Sequence, residues 1–367
     1  MMRIGLITLH RVYNYGSALQ AWATQRVLED AGHKVILIDY ITPQRTKRRI
    51  FFGKPGEWRQ WGWKDFIYHF FKIFSILLKE MTFGRFVRKR LNLSKKYITV
   101  DDLERDVPNA DLYITGSDQV WNSDYNEGVD RGYYLDFIPE EAKRVSFVSS
   151  FGQTNICESE KNDVKKFLSR YQALSVREDS AKKMINELGI KNVKWLIDPT
   201  LQIQKDIWKQ LASRRLIKEK YIILMLLYNE DNNATEYARR IANQKGLKLV
   251  KISWEMRKPE SVDKLMTHRT PEDFLSLFYY ADYVVTNSFH GTAFSINFEK
   301  NFIVVPRNEY NSRIESLLSL VGLEDRLVAS MESVMSVLDK KINYDYVRKV
   351  LKNERRKSAE FIDEYIR

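Results

Sequence analysis

Arg3-Ile4-Gly5-Leu6-Ile7-Thr8-Leu9, followed by Asn14-Tyr15-Gly16-Ser17 and a helical pattern from Ala18 to Ala31 that stops at Gly32, decides the fold. The opening run is apolar with no polar face, as expected of a strand buried on both sides. Val35–Ile38 is a second strand. Strand, helix and strand within about forty residues begin a parallel α/β sheet.

Working outward, strands recur at Leu112–Thr115, Val145–Ser149 and Ala173–Val176, with helical stretches at Glu158–Arg170 and Asp179–Leu188. The pattern restarts after Asp198-Pro199-Thr200. Tyr221–Leu227, Leu247–Ile252, Tyr283–Thr286 and Phe302–Val305 read as strands, and Ala234–Lys245 (closed by Gly246), Pro271–Tyr280 and Phe289–Phe298 as helices. The expected fold is α/β, with two doubly wound parallel-sheet domains facing a cleft. Residues 1–200 form the first domain and 201–343 the second, and a charged helix over 344–367 packs back across both.

A chain of 367 residues suits two domains of ordinary size, and 44% apolar with 29% charged residues is globular composition. The lone Cys157 has no partner within the chain for a disulfide; with no signal sequence in view, a reducing cytoplasm is expected. The longest unbroken apolar run, Tyr221–Tyr228, falls far short of the roughly 20 residues a spanning helix needs.

The net charge of +12 is concentrated. Pro43–Tyr97 holds fifteen Lys and Arg against Glu57, Asp65 and Glu80, so 15 − 3 = +12 and the remainder is neutral overall. Basicity confined to one segment points to local docking rather than to nucleic acid. Trp58, Trp61, Trp63, Phe70, Phe71 and Phe74 are among the aromatic residues interleaved with the cations. Such a segment reads either as a helical insertion lying on an anionic membrane surface, or as one packed on its own domain with its cations solvated.

In open parallel sheets, ligands bind beyond the carboxyl ends of the strands, where helix N-termini point amides at them. Four segments fall at such places. In Thr286-Asn287-Ser288-Phe289-His290-Gly291-Thr292, a strand ends, Asn287 or Ser288 can cap the next helix, and His290 sits in its first turn. An imidazolium at the positive end of a helix needs an anion beside it, which suits a bound phosphate or carboxylate. In Gly116-Ser117-Asp118, glycine permits close backbone approach and Asp118 can accept a proton from a hydroxyl. Arg177, between a strand and a helix, offers a fork for a carboxylate or phosphate, or pairs with Glu178 or Asp179. Asn14-Tyr15-Gly16-Ser17 is the first strand-to-helix turn and can touch an acceptor. His10 and His268 are second-line candidates, while His33 and His69 carry less information. Dinucleotide and phosphate-loop glycine patterns, paired-cysteine and His-Glu-x-x-His spacings and an Asp-x-Asp pair are absent from the sequence, so chemistry without a bound metal or cofactor is expected.

From Ile4 to about Leu323 the chain resembles the polysaccharide pyruvyl transferase family. The carriers are Asn14-Tyr15-Gly16-Ser17 with Leu19-Gln20, Gly116-Ser117-Asp118-Gln119-Val120-Trp121-Asn122, Ser175-Val176-Arg177-Glu178, Asp198-Pro199-Thr200, Ser288-Phe289-His290-Gly291-Thr292, and Asn311-Ser312-Arg313-Ile314 leading into Leu317-Leu318. The resemblance implies an architecture similar to GT-B glycosyltransferases, phosphoenolpyruvate as co-substrate, the family's histidine at His290 and a donor-holding arginine at Arg177. Some members carry Arg-Leu just before the histidine, where this chain has Ser288-Phe289; Arg313 or Arg307 is then expected to supply the guanidinium.

The implied reaction moves the enolpyruvyl group onto a saccharide on a lipid carrier and closes a ketal. His290 is the acid, and Asp118 helps the attacking hydroxyl. Arg177, Arg313 and the segment Ser288, Phe289, Gly291 and Thr292 hold the donor; Asn14, Tyr15, Gly16 and Ser117 face the acceptor. The setting is the cytoplasm, peripherally on the inner face of the plasma membrane. A GT-B glycosyltransferase using a nucleotide sugar and a non-catalytic carbohydrate-binding protein are the alternatives.

Overall fold

The computed structural model describes residues 1–43, 76–227, 233–254, 258–309 and 311–366. Most of the basic, aromatic segment therefore lies outside the described residues, as does His69. The chain divides into two compact units: Met1–Trp195 with Phe361–Arg367, and Leu196–Glu360. The division falls at Trp195/Leu196 rather than at residue 200, because Asp198 opens a short helix, Pro199–Gln202, whose carbonyls are bound by side chains of the second unit. The C-terminal helix Tyr344–Tyr365 contributes to both units, the first claiming it from Phe361 onward.

The first unit is built on β1 (Arg3–Ile7), β2 (Lys34–Tyr40), β3 (Leu93–Tyr97), β4 (Leu112–Thr115), β5 (Arg144–Ser149), β6 (Ala173–Val176) and β7 (Lys194–Trp195). They make one seven-stranded sheet in the order β3-β2-β1-β4-β5-β6-β7, all neighbours parallel. The second unit holds β8 (Tyr221–Met225), β9 (Lys248–Ser253), β10 (Lys264–Thr267), β11 (Tyr283–Thr286) and β12 (Asn301–Val304), ordered β10-β9-β8-β11-β12 and again parallel. The central strands β4, β8 and β11 are buried at every residue. Coverage on both faces is what makes such strands apolar without alternation.

Strand order reverses between β1 and β4 in one unit and between β8 and β11 in the other. Crossovers leave each sheet in opposite directions there, opening a crevice at the carboxyl ends. Helix starts are fixed locally. Asn14 caps Tyr15–Asp30 through Gly16 N at 2.8 Å, and Thr270 with Asp273 forms a capping box ahead of Pro271–Tyr280, each cap worth about 1 kcal/mol.

The structure departs from the sequence expectation at the sheet edges. Leu93–Tyr97, expected inside a helical insertion, is edge strand β3 paired with β2. Its outward Lys95 and Lys96 hide the strand signal while guarding an exposed edge. Just before it lie a π-helical turn, Glu80–Gly84, and the helix Arg85–Arg90. The two-residue β7 and the edge strand β10 also escape the apolar pattern.

Candidate active site

Each unit gathers polar side chains at its own reversal point. In the first, Thr8 follows β1 and donates its hydroxyl to Ser117 O at 2.6 Å, joining the ends of β1 and β4. Gln20 reaches back from the first helix to Thr8 Oγ1, Leu9 O and Ser17 O, each at 3.1 Å. Gly116 is closely packed: a Cβ there would lie 2.9 Å from Leu6 Cδ1 and 3.1 Å from Thr8 Cβ, so a larger residue would force its neighbours to shift. The chain then turns through Asp118 in the left-handed region, φ 74°, an uncommon conformation for a residue with a side chain. That turn aims the carboxylate at the first helix and at β6.

Ser17 Oγ donates to Asp118 Oδ2 at 2.5 Å, and Gln119 N to Oδ1 at 2.9 Å. An Arg177 terminal nitrogen approaches Asp118 Oδ1 at 3.6 Å, and its Nε stands 3.9 Å from Glu178 Oε2. Glu178, fully buried, takes Ser150 Oγ at 2.8 Å and Gly152 N at 3.3 Å on its other oxygen. Two carboxylates thus share one guanidinium, all three at most 5% exposed, an arrangement tolerable only because hydrogen bonds and mutual charge offset desolvation.

The expected acceptor residues have other occupations besides. Asn14 caps its helix, and the Tyr15 ring is buried against Phe83 at 5.0 Å. It is Ser17, from the same turn, that reaches Asp118. His10 is committed on both ring nitrogens, to Thr8 O at 3.0 Å and to Asp39 Oδ1 at 2.8 Å. Burial would push the Asp39 carboxyl up, but hydrogen bonds and charge from Arg11 and His10 bring it down to about 2.

In the second unit, Asn287 Oδ1 accepts Leu227 N at 2.7 Å and so ties the end of β11 to the segment after β8. Ser288 caps the nine-residue helix Phe289–Asn297 by accepting Gly291 N at 3.3 Å. Thr292 N donates to Ser288 O at 2.9 Å. These bonds correct the expectation that the Gly291 and Thr292 amides offer themselves to an anion; both are engaged within the helix.

His290 is 6% exposed, and its Nε2 lies 3.9 Å from Asp198 Oδ2. Asp198 is buried as well, its Oδ1 held by Thr200 N at 2.9 Å and Thr200 Oγ1 at 2.6 Å. The Phe289 ring stands edge-on to His290 at 5.2 Å, and the Arg313 guanidinium lies 5.9 Å from the centre of Phe289. Arg313 is therefore brought beside the residue preceding His290. Arg307 exchanges backbone hydrogen bonds with the Asn311 side chain at 2.9 and 2.7 Å, which shapes the loop leading to Arg313. His268, with φ 52°, sits against Trp254 at 5.3 Å.

Asp118, Ser117 and Arg177 thus cluster in the first unit, while Ser288, Phe289, His290, Gly291, Thr292 and Arg313 cluster in the second. The sequence offers Glu178 as a partner for Arg177 and sets Ser17 in the first strand-to-helix turn, but it gives no site role to Ser17, Glu178 or Asp198. Asp198-Pro199 is legible as a helix start, but its nearness to His290 is not. Among the described residues, no three His, Cys, Asp or Glu side chains converge as a metal cage, and no helix is long and apolar enough to cross a membrane.

The family described as Polysaccharide pyruvyl transferase matches residues 14–309. No curated protein matches the sequence significantly. Among solved structures, the chain is similar to UDP-N-acetylglucosamine 2-epimerase from Rickettsia bellii (TM-score 0.54, 12% identity, 99% of this chain and 98% of that one). It is also similar to UDP-GlcNAc 2-epimerases from Neisseria meningitidis (0.53, 11%, 100% and 99%) and Methanocaldococcus jannaschii (0.52, 12%, 95% and 98%). At such identities the likeness speaks for the fold, two parallel-sheet α/β domains of the GT-B type, and for nothing finer.

Proposed function

This chain belongs to the polysaccharide pyruvyl transferase family, and from that premise we propose that it transfers the enolpyruvyl group of phosphoenolpyruvate to a sugar of a lipid-linked surface-polysaccharide precursor, forming a pyruvate ketal. The observation that carries the reading is His290: a buried imidazole in the first turn of a capped helix, with a carboxylate at 3.9 Å and the Arg313 guanidinium against its neighbour Phe289.

Phosphoenolpyruvate is small and strongly anionic, so it calls for guanidinium forks. Arg313, against Phe289 in the unit that carries His290, is the guanidinium offered there. His290 passes a proton to the methylene carbon, which leaves C2 electrophilic, and a sugar hydroxyl adds there as it gives up its own proton. The C2–O bond to phosphate then breaks, and a second hydroxyl closes the ring. The methyl group keeps the proton from His290; of the two protons that the hydroxyls lose, one restores the imidazolium and the other leaves on inorganic phosphate. An imidazole, with an unperturbed pKa of about 6.5, suits proton donation near neutral pH.

A lipid-linked acceptor would bring the protein to the inner face of the plasma membrane. Leu77 and Met81, four residues apart and 55% and 68% exposed, are followed by exposed Arg85, Arg88 and Lys89, which suits an anionic lipid surface.

Phosphate release from phosphoenolpyruvate, assayed with a panel of lipid-linked saccharides, tests the reading. Release that depends on acceptor, and falls on the order of 10²–10⁴-fold in His290→Ala, is expected. Thermal stabilisation by nucleoside diphosphates without response to phosphoenolpyruvate would point instead to a nucleotide-sugar transferase. Acceptor binding with no phosphate release would point to a carbohydrate-binding protein.

A further inference from the structure

We propose that Asp198 is the positioning residue for His290: its carboxylate faces Nε2 and favours the imidazolium that an acid must present. The proposal rests on the reading of His290 as the acid, and it begins from an electrostatic difficulty in that reading. An imidazolium in the first turn of a helix stands at the positive end of the dipole, which disfavours the form that an acid must adopt. A fixed negative charge beside the ring removes the difficulty before any donor binds. Asp198 is that charge. Its side chain is fully buried, His290's is 8% exposed, and the two face each other at 3.9 Å, an ion-pair separation beyond hydrogen-bonding length.

The carboxylate cannot easily turn away. Thr200 occupies Oδ1 with both its amide and its hydroxyl, which orients Oδ2 toward the ring. The short helix that Asp198 opens is itself clamped. Asn297, at the far end of the His290 helix, donates to Thr200 O at 2.8 Å and Ile203 O at 2.9 Å. Trp208 Nε1 donates to Thr200 O at 3.0 Å, and Arg355 Nε to Leu201 O at 2.8 Å. One helix thus carries the imidazole at its start and, at its end, the amide that locks the carboxylate's own helix in place. The field of a carboxylate fixed opposite Nε2 also favours the tautomer that carries its hydrogen on that nitrogen, through charge rather than through a hydrogen bond.

Asp198→Asn tests the proposal, since asparagine caps a helix as well as aspartate does and retains an oxygen for Thr200. The expected result is a kcat lower by on the order of 10²-fold with an unchanged KM for phosphoenolpyruvate. Losing the neighbouring charge also makes the imidazolium easier to deprotonate. The descending limb of the kcat profile therefore moves to lower pH, and the deficit shrinks in mildly acidic buffer. A purely structural role would lower activity without moving that limb, and Asp198→Glu should recover part of the loss. Independently of turnover, nitrogen-15 spectra of histidine-labelled wild-type protein should show neutral His290 protonated at Nε2. A neutral His290 protonated at Nδ1 overturns the proposal, as does Asp198→Asn with wild-type kcat and an unmoved limb while His290→Ala is inactive. Wild-type turnover in His290→Ala removes the parent reading as well.

Discussion

Alanine at position 291 would place its Cβ 2.3 Å from Thr286 Oγ1, 3.0 Å from Thr286 Cβ and 3.1 Å from Thr286 Cγ2. The threonine cannot swing aside without loss. It is buried, its hydroxyl donates to Met225 O at 2.8 Å, and the same oxygen accepts Ser288 N at 3.1 Å. The strain of overpacking is about 1–3 kcal/mol, and the gain from replacing glycine within a helix offsets up to ~1 kcal/mol of it. Gly291→Ala should therefore destabilise the second unit by about 1–2 kcal/mol, a fall of roughly 2–8 °C in Tm for a unit of that size. Thermal unfolding of the full chain measures this, and a double-mutant cycle with Thr286→Ala locates the cause. If the hydroxyl is the main obstacle, Gly291→Ala should cost clearly less in the Thr286→Ala background, where only the Cβ contact at 3.0 Å remains. Equal costs in both backgrounds, or a Gly291→Ala protein as stable as wild type, would refute the steric account.

Arg313→Lys keeps the charge but loses the fork; KM for phosphoenolpyruvate should rise about 10- to 100-fold with a smaller change in kcat, as steady-state kinetics would show. Asp39, whose folded carboxyl titrates at about 2 against an ordinary 3.8, contributes stability that is complete above the ordinary value and disappears as pH falls through the folded one. Acid unfolding should lose about 1–2 kcal/mol in that window after discounting for solvent screening, and Asp39→Asn should lack this component. Flotation with phosphatidylcholine vesicles should show binding that requires phosphatidylglycerol, weakens in high salt and falls on the order of 10-fold in Leu77→Ser/Met81→Ser/Lys89→Glu; equal partition of variant and wild type would exclude this helix as the contact.

Much of the architecture is legible in the chain itself, because residues buried on both faces of a parallel sheet have no polar alternation to obscure them. Tyr221–Met225 and Tyr283–Thr286 announce themselves as strands by composition, and Gly246, with φ 62°, ends its helix as a glycine stop should. The Ser288 cap and the place of His290 in the first turn also follow from local spacing, since a cap and its turn are contiguous. Edge strands are different. Leu93–Tyr97 has neighbours on one side only, so its outward residues answer to water and the strand signal is lost.

The chemistry of the candidate site depends on partners that local patterns do not reveal. Nothing near Asp198 in the sequence says that its carboxylate meets His290, or that Arg313 lies against Phe289, or that Ser17 reaches Asp118. Those encounters arise where strand order reverses and loops from distant parts of the chain converge. Side-chain type and turn chemistry therefore come from the one-dimensional pattern, which governs each residue's own backbone. Which charges face one another is decided by the tertiary structure, because Coulomb and hydrogen-bond energies depend on separation in space and not on separation along the chain.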